Sequence, residues 1–128
     1  MIVEWLEPNE LYQIMKNRAE SVIVVDVRDD DFEEGKICSS INIPSESILI
    51  NGFPLRFLER FQNVKQPVLV VFHCFYSQCR GPACAEALAN ALQNRENVRI
   101  AVLTGGYQQW ITLYPQLTEK IPTPKENQ

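Results

Sequence analysis

The sequence predicts a single α/β domain with a parallel sheet of about five strands and helices on both faces. Three observations carry this. The stretches V-I-V-V-D-V at 22–27 and V-L-V-V-F at 68–72 are short, β-branched and apolar without alternation, as in strands buried on both faces. Segments with helical spacing lie between such runs. The 128 residues, 45% of them apolar, suit one core.

Taken in order, residues 3–6 form an edge strand, and Pro8 opens a helix with Leu11, Ile14 and Met15 on its apolar face. Strand 22–27 comes next, then a short strand at 41–43. Residues 44–54, bounded by prolines, read as a loop. Phe57, Leu58 and Phe61 give 53–61 a helical face. After strand 68–72, residues 82–94 are rich in Ala and Leu and begin with a proline, as a helix does. Residues 98–103 are the last strand. The catalytic domain is expected to span 1–114, with 115–128, polar and holding three prolines, a flexible tail.

The net charge of −4 and the lack of any long Lys/Arg run argue against nucleic acid as a partner. No basic-then-apolar leader opens the sequence, and no apolar run approaches the roughly 18 residues of a membrane span. The expected compartment is therefore the cytoplasm, or cytoplasm and nucleus, where four cysteines are thiols with catalytic, redox or packing duties. Cys74, Cys79 and Cys84 are five apart and there is one histidine, so no metal site is expected.

The stretch F-H-C-F-Y-S-Q-C-R at 72–80 gathers that histidine, two cysteines and an arginine between a strand end and a helix start. Open α/β sheets bind ligands at such edges. A helix N-terminus presents unpaired N–H groups and partial positive charge, which hold an oxyanion and stabilise a thiolate. Arg80 adds a planar fork matched to two oxygens of a tetrahedral anion. Cys74 is thus the expected nucleophile and Arg80 the expected clamp for its electrophile.

F-H-C-(five residues)-R-G-P, at Phe72, His73, Cys74, Arg80, Gly81 and Pro82, resembles the rhodanese-fold phosphatases and arsenate reductases. The wider pattern is similar too: Asp26-Val27-Arg28, Gly35-Lys36-Ile37, Ile41-Asn42-Ile43-Pro44, and Leu103 to Tyr107 with Trp110, so the resemblance covers about residues 20–112. It implies a rhodanese-like fold with an oxyanion loop of Phe75, Tyr76, Ser77, Gln78, Cys79 and Arg80. The S-Q-C-R-G-P segment followed by Cys84-Ala85 is most similar to the small eukaryotic arsenate reductases, with the cell-division-cycle dual-specificity phosphatases second. Sulfurtransferases of this superfamily carry a loop one residue shorter, which disfavours sulfur transfer.

Residues 75–79 contain no carboxylate to protonate an alkoxide leaving group, whereas arsenate loses only water. Arsenate reduction is therefore the expected activity, with protein tyrosine or dual-specificity phosphatase as the alternative. The expected co-substrate is glutathione, with glutaredoxin as partner and no bound cofactor; in the alternative the partner is a phosphoprotein. A carboxylate could still reach the loop from residues 29–34, otherwise read as a solvated face. Ser77 is expected to donate to the Cys74 thiolate or the leaving group. His73 is expected to support the loop rather than serve as base, since neighbouring strand residues point to opposite faces. Asp26 and Arg28 are expected to be scaffolding beneath it. Cys79 and Cys84 are open as redox partners of Cys74, subject to a Cα separation under about 7 Å. Cys38 reads as packing. Phe75 and Tyr76 either floor the pocket or form its lip, and Gly105-Gly106 lets the chain turn close to the loop.

Overall fold

The computed structural model describes residues 2–18, 21–93 and 95–122. The chain runs β1 (Val3–Leu6), α1 (Pro8–Asn17), β2 (Ser21–Asp26), β3 (Gly35–Ile37), β4 (Ile41–Asn42), α2 (Ser45–Asn51) and α3 (Leu55–Glu59). It continues with β5 (Val68–His73), α4 (Arg80–Leu92), β6 (Val98–Leu103), α5 (Gly106–Leu113), a 3-10 turn at Pro115–Leu117, and β7 (Thr118–Lys120).

Five strands form one parallel sheet in the order β1-β6-β5-β2-β4. β5 is central, and all six of its residues are buried. Its lack of alternation has a direct cause, since both sheet faces are covered. On one face Val25, Val70, Phe72 and Ile100 pack with Ile48 of α2, Phe57 of α3 and Leu88 of α4. On the other, Leu69, Val71, Ala101 and Leu103 pack with Leu11 of α1 and with Tyr107 and Trp110 of α5. The register pairs Asp26 of β2 with His73 of β5, so the segments after both strands leave the sheet at the same edge.

The predicted five-stranded parallel sheet with helices on both faces is what is found. Two expectations are corrected. Within the expected loop 44–54, residues Ser45–Asn51 form helix α2. Its capping acceptor is distant in sequence: Asp29 accepts from the Glu46 N–H at 2.9 Å and from the Ser45 hydroxyl at 2.6 Å. A local reading finds no such cap.

The expected tail is ordered through its first part. β7 pairs antiparallel with β3, joining Gly35 to Lys120 and Ile37 to Thr118. Trp110 Nε1 donates to the Leu117 carbonyl at 3.4 Å, and Tyr114 stacks on Tyr12 at 4.7 Å. These long-range contacts override the polar, proline-rich composition. Residues 123–128 of that expectation lie outside the described residues. Among the described residues no helix is long and apolar enough to cross a membrane.

Trp110 is fully buried between α5 and the sheet. Trp110→Ala is expected to lower the unfolding free energy by about 3–5 kcal/mol, read as a fall in the urea midpoint at unchanged slope.

Candidate active site

β5 ends at His73 and α4 begins at Arg80, leaving residues 74–79 to join strand to helix. Cys74 is 3% exposed, and its Sγ accepts N–H bonds from Ser77 at 3.2 Å and Gly81 at 3.4 Å. Ser77 adopts a left-handed φ of 57°, the reversal that accompanies its inward amide. Its hydroxyl accepts from the Cys74 N–H at 3.4 Å. The Gly81 amide lies in the first turn of α4, where N–H groups lack intrahelical partners. Two backbone donors are thus aimed at one sulfur.

The loop is held from behind by a second helix. Tyr107 and Gln108, in the first turn of α5, donate their N–H groups to the Cys74 and Phe75 carbonyls, each at 3.0 Å. This approach requires Gly106. Its φ is +62°, and a Cβ there would sit 2.5 Å from the Phe75 oxygen and 2.7 Å from the Cys74 oxygen. The close turn expected of Gly105-Gly106 is thus explained by contact with the loop backbone.

Below the loop lies a buried polar layer. His73 Nδ1 is 3.0 Å from the Cys74 carbonyl, which can only accept, so this nitrogen carries the hydrogen. Burial holds the ring's pKa below its ordinary value against the opposing pull of Asp26, whose Oδ2 lies 3.8 Å from Nε2. Asp26 and Arg28 are both fully buried and paired, with Arg28 Nη2 2.7 Å from Asp26 Oδ2 and 2.7 Å from the Gly35 carbonyl. The Arg28 guanidinium also lies over the Tyr107 ring at 4.3 Å. His73 thus bonds the loop backbone at Cys74, while Arg28 bonds Asp26 and the Gly35 carbonyl.

Arg80 differs from the sequence expectation. Its Nη1 and Nη2 reach the two oxygens of Asp31 at 2.7 and 2.6 Å, and Nη1 lies 3.3 Å from Asp29 Oδ2. The arginine expected to close over an anion is held by two carboxylates from a run that reads as a solvated face. The cause is the sheet edge: the segment after β2 emerges beside the loop after β5. The Arg80 hydrogen bond holds the Asp31 carboxyl down at about 2, overcoming partial burial. At Asp29, burial acts upward, but bonds from Glu46, Ser45 and Arg80 bring the carboxyl below its ordinary value. The D-x-R-D-D-D stretch is the signal in the sequence, although spacing does not say which acid turns inward.

The sequence profile described as Rhodanese-like domain matches residues 7–113. The chain belongs to the rhodanese-like domain family. Among its relatives is the CDC25-like phosphatase YCH1 of Saccharomyces cerevisiae, 30% identical over 124 residues, 88% of this chain and 84% of that protein. Another is arsenate reductase 2.2 of Oryza sativa, 34% identical over 94 residues, 70% of this chain and 68% of that protein. A solved yeast protein tyrosine phosphatase of the rhodanese family superposes with a TM-score of 0.81 at 28% identity, covering 92% of each chain.

The remaining loop residues of this rhodanese-like domain sit at its surface. Tyr76, Gln78 and Cys79 are exposed, and Phe75 meets Tyr76 edge-on at 4.7 Å. Phe75 also lines a cavity of about 750 Å³ with Asp31, Tyr107 and Ile111. All four cysteines are free thiols. Cys84 is fully buried on α4, and burial pushes its thiol up to about 12, which keeps it protonated at neutral pH. Of the two cysteines considered as redox partners, Cys79 is the accessible one. Among the described residues no group of three or more His, Cys, Asp or Glu could hold a metal ion.

Two outcomes are expected. Peptide mapping after brief iodoacetamide treatment of the folded protein should find Cys79 modified and Cys84 unmodified; comparable labelling would contradict the burial of Cys84. Gly106→Ala should destabilise the domain by about 1–3 kcal/mol, because the left-handed φ and the loop carbonyls both oppose a Cβ, as read by thermal or urea unfolding.

Proposed function

We propose that this domain is a thiolate-dependent phosphatase of the Cdc25-like kind, acting on aryl phosphate esters such as phosphotyrosine in a phosphoprotein. The carrying observation is the Cys74 sulfur, held by the Ser77 and Gly81 amides at the N-terminus of α4. The match to YCH1 over 88% of the chain supports phosphate over arsenate, in contrast to the preference drawn from the loop's lack of a carboxylate. The thiolate attacks phosphorus, an S–P bond forms, and the P–O bond to the phenol oxygen breaks. Water then cleaves the S–P bond, releasing phosphate and restoring the thiolate. Ser77, Arg80 and the loop amides of residues 75–80 stabilise the phosphoryl oxygens in this scheme.

The acids decide the leaving group. Asp31 is held ionised by Arg80, and Asp29 lies below its ordinary range, so neither is a resting proton donor. General acid assistance is worth about a hundred- to ten-thousand-fold. A phenolate departs without it; an alkoxide does not.

The same absence favours a second reading, arsenate reduction, which the 34% identity to the rice arsenate reductase also supports. There Cys74 displaces water from arsenate to form an S–As bond. Glutathione then attacks the Cys74 sulfur; the S–As electron pair passes to arsenic, giving arsenite and a mixed disulfide. Glutaredoxin clears that disulfide by thiol exchange.

The test compares hydrolysis of p-nitrophenyl phosphate, a phosphotyrosine peptide and an alkyl phosphate with arsenite formation under glutathione and glutaredoxin. Aryl esters should turn over, with the alkyl ester at least about 100-fold slower, and Cys74→Ser should abolish both. Thiol-dependent arsenite without aryl hydrolysis would replace this reading by the second. Activity surviving in Cys74→Ser would remove both.

A further inference from the structure

Arginine carries five N–H donors: two on Nη1, two on Nη2 and one on Nε. In Arg80 the end of the fork is taken, one hydrogen each from Nη1 and Nη2 going to the two oxygens of Asp31. The other Nη1 hydrogen faces Asp29 at 3.3 Å. This leaves the Nε hydrogen and the second Nη2 hydrogen, which lie parallel along one side edge. That edge is itself a bidentate site for two oxygens of a tetrahedral anion.

We propose that Asp31 is a positioning residue that holds Arg80 by its end and presents the side edge to the substrate oxyanion. The proposal rests on the oxyanion reading of the Cys74 loop and concerns phosphate and arsenate alike. Asp31 does not touch substrate; it acts through Arg80. A long arginine side chain free in solvent would lose rotamer freedom on binding an anion, and a prior bidentate contact removes most of that loss. Asp29 fixes the arrangement to the fold, because its carboxylate also accepts from Ser45 and Glu46 at the start of α2. The opposite possibility, that Asp31 competes with substrate for Arg80, would require the same donors to serve both. The donor count shows that they need not.

The experiment measures protection of Cys74 from iodoacetamide by inorganic phosphate and by arsenate. Wild type, Asp31→Asn, Asp31→Ala, Arg80→Ala and Arg80→Ala with Asp31→Asn are compared, with folding followed by tryptophan fluorescence. The Asp31 side chain is 41% exposed and Arg80 32%, so loss of their pair is expected to leave the domain folded. In the Arg80 background, Asp31→Asn should weaken protection about tenfold. In the Arg80→Ala background it should cause no further loss, since the effect passes through the guanidinium. A purely structural role would give the same loss in both backgrounds and would overturn the proposal. Unchanged or tighter protection in Asp31→Asn and Asp31→Ala would also overturn it, while leaving the oxyanion site standing. Wild type that neither anion protects would remove the oxyanion reading, and the proposal with it.

Discussion

The Cys74 loop is held between the N-termini of two helices, and the rest of the fold can be understood from that constraint. The start of α4 turns the Gly81 amide onto the sulfur, while the start of α5 turns two amides onto the carbonyls of residues 74 and 75. Each helix has N–H groups with no partner of its own, and each meets that need on the same short segment. β5 and β6 must then be adjacent and parallel, so that both strand ends deliver their helices to one edge. Gly106 is fixed by the same demand, because the α5 backbone passes too near the loop carbonyls for any side chain.

Charge at this edge is managed locally, in a protein whose net charge of −4 opposes anions at long range. The buried layer pairs Asp26 with Arg28 and leaves His73 below its ordinary pKa, so the floor presents no free charge of either sign. The exposed rim pairs Arg80 with Asp31 and Asp29. On the proposed function, an anion reaching the sulfur would meet backbone amides and one guanidinium edge rather than a broad positive field. Such a site would select among tetrahedral oxyanions by geometry.

The sheet strands were legible because their signal is carried by their own residues: the runs at 22–27 and 68–72 are apolar on both faces. The Cys-to-Arg loop was legible because strand, spacing and helix start are contiguous. α2 and β7 were not, since what stabilises them lies elsewhere in the chain, Asp29 in one case and β3 in the other. The placement of Arg80 escaped for the same reason. Spacing shows an arginine that can clamp an anion, but Asp31 is 49 residues away in sequence and meets it only across the sheet edge. Cys84 escaped differently: its spacing from Cys74 is compatible with redox partnership, while its burial is a property of the helix face it occupies.

Phosphatase and arsenate reductase chemistry begin with the same attack by the same sulfur and part only over the group that leaves and the nucleophile that resolves the adduct. Proton supply is the point of divergence. A carboxylate that anchors an arginine must stay ionised, and one that donates a proton must not, so Asp31 cannot serve both duties in one conformation. With Asp31 engaged on Arg80, the proposed oxyanion capture would come at the expense of leaving-group assistance. On the proposed function, substrates would then be those whose leaving group needs no proton from Asp31: an aryl ester, or the water lost from arsenate on the second reading. Relatives named for either activity share the rhodanese-like domain, as a common first step would allow.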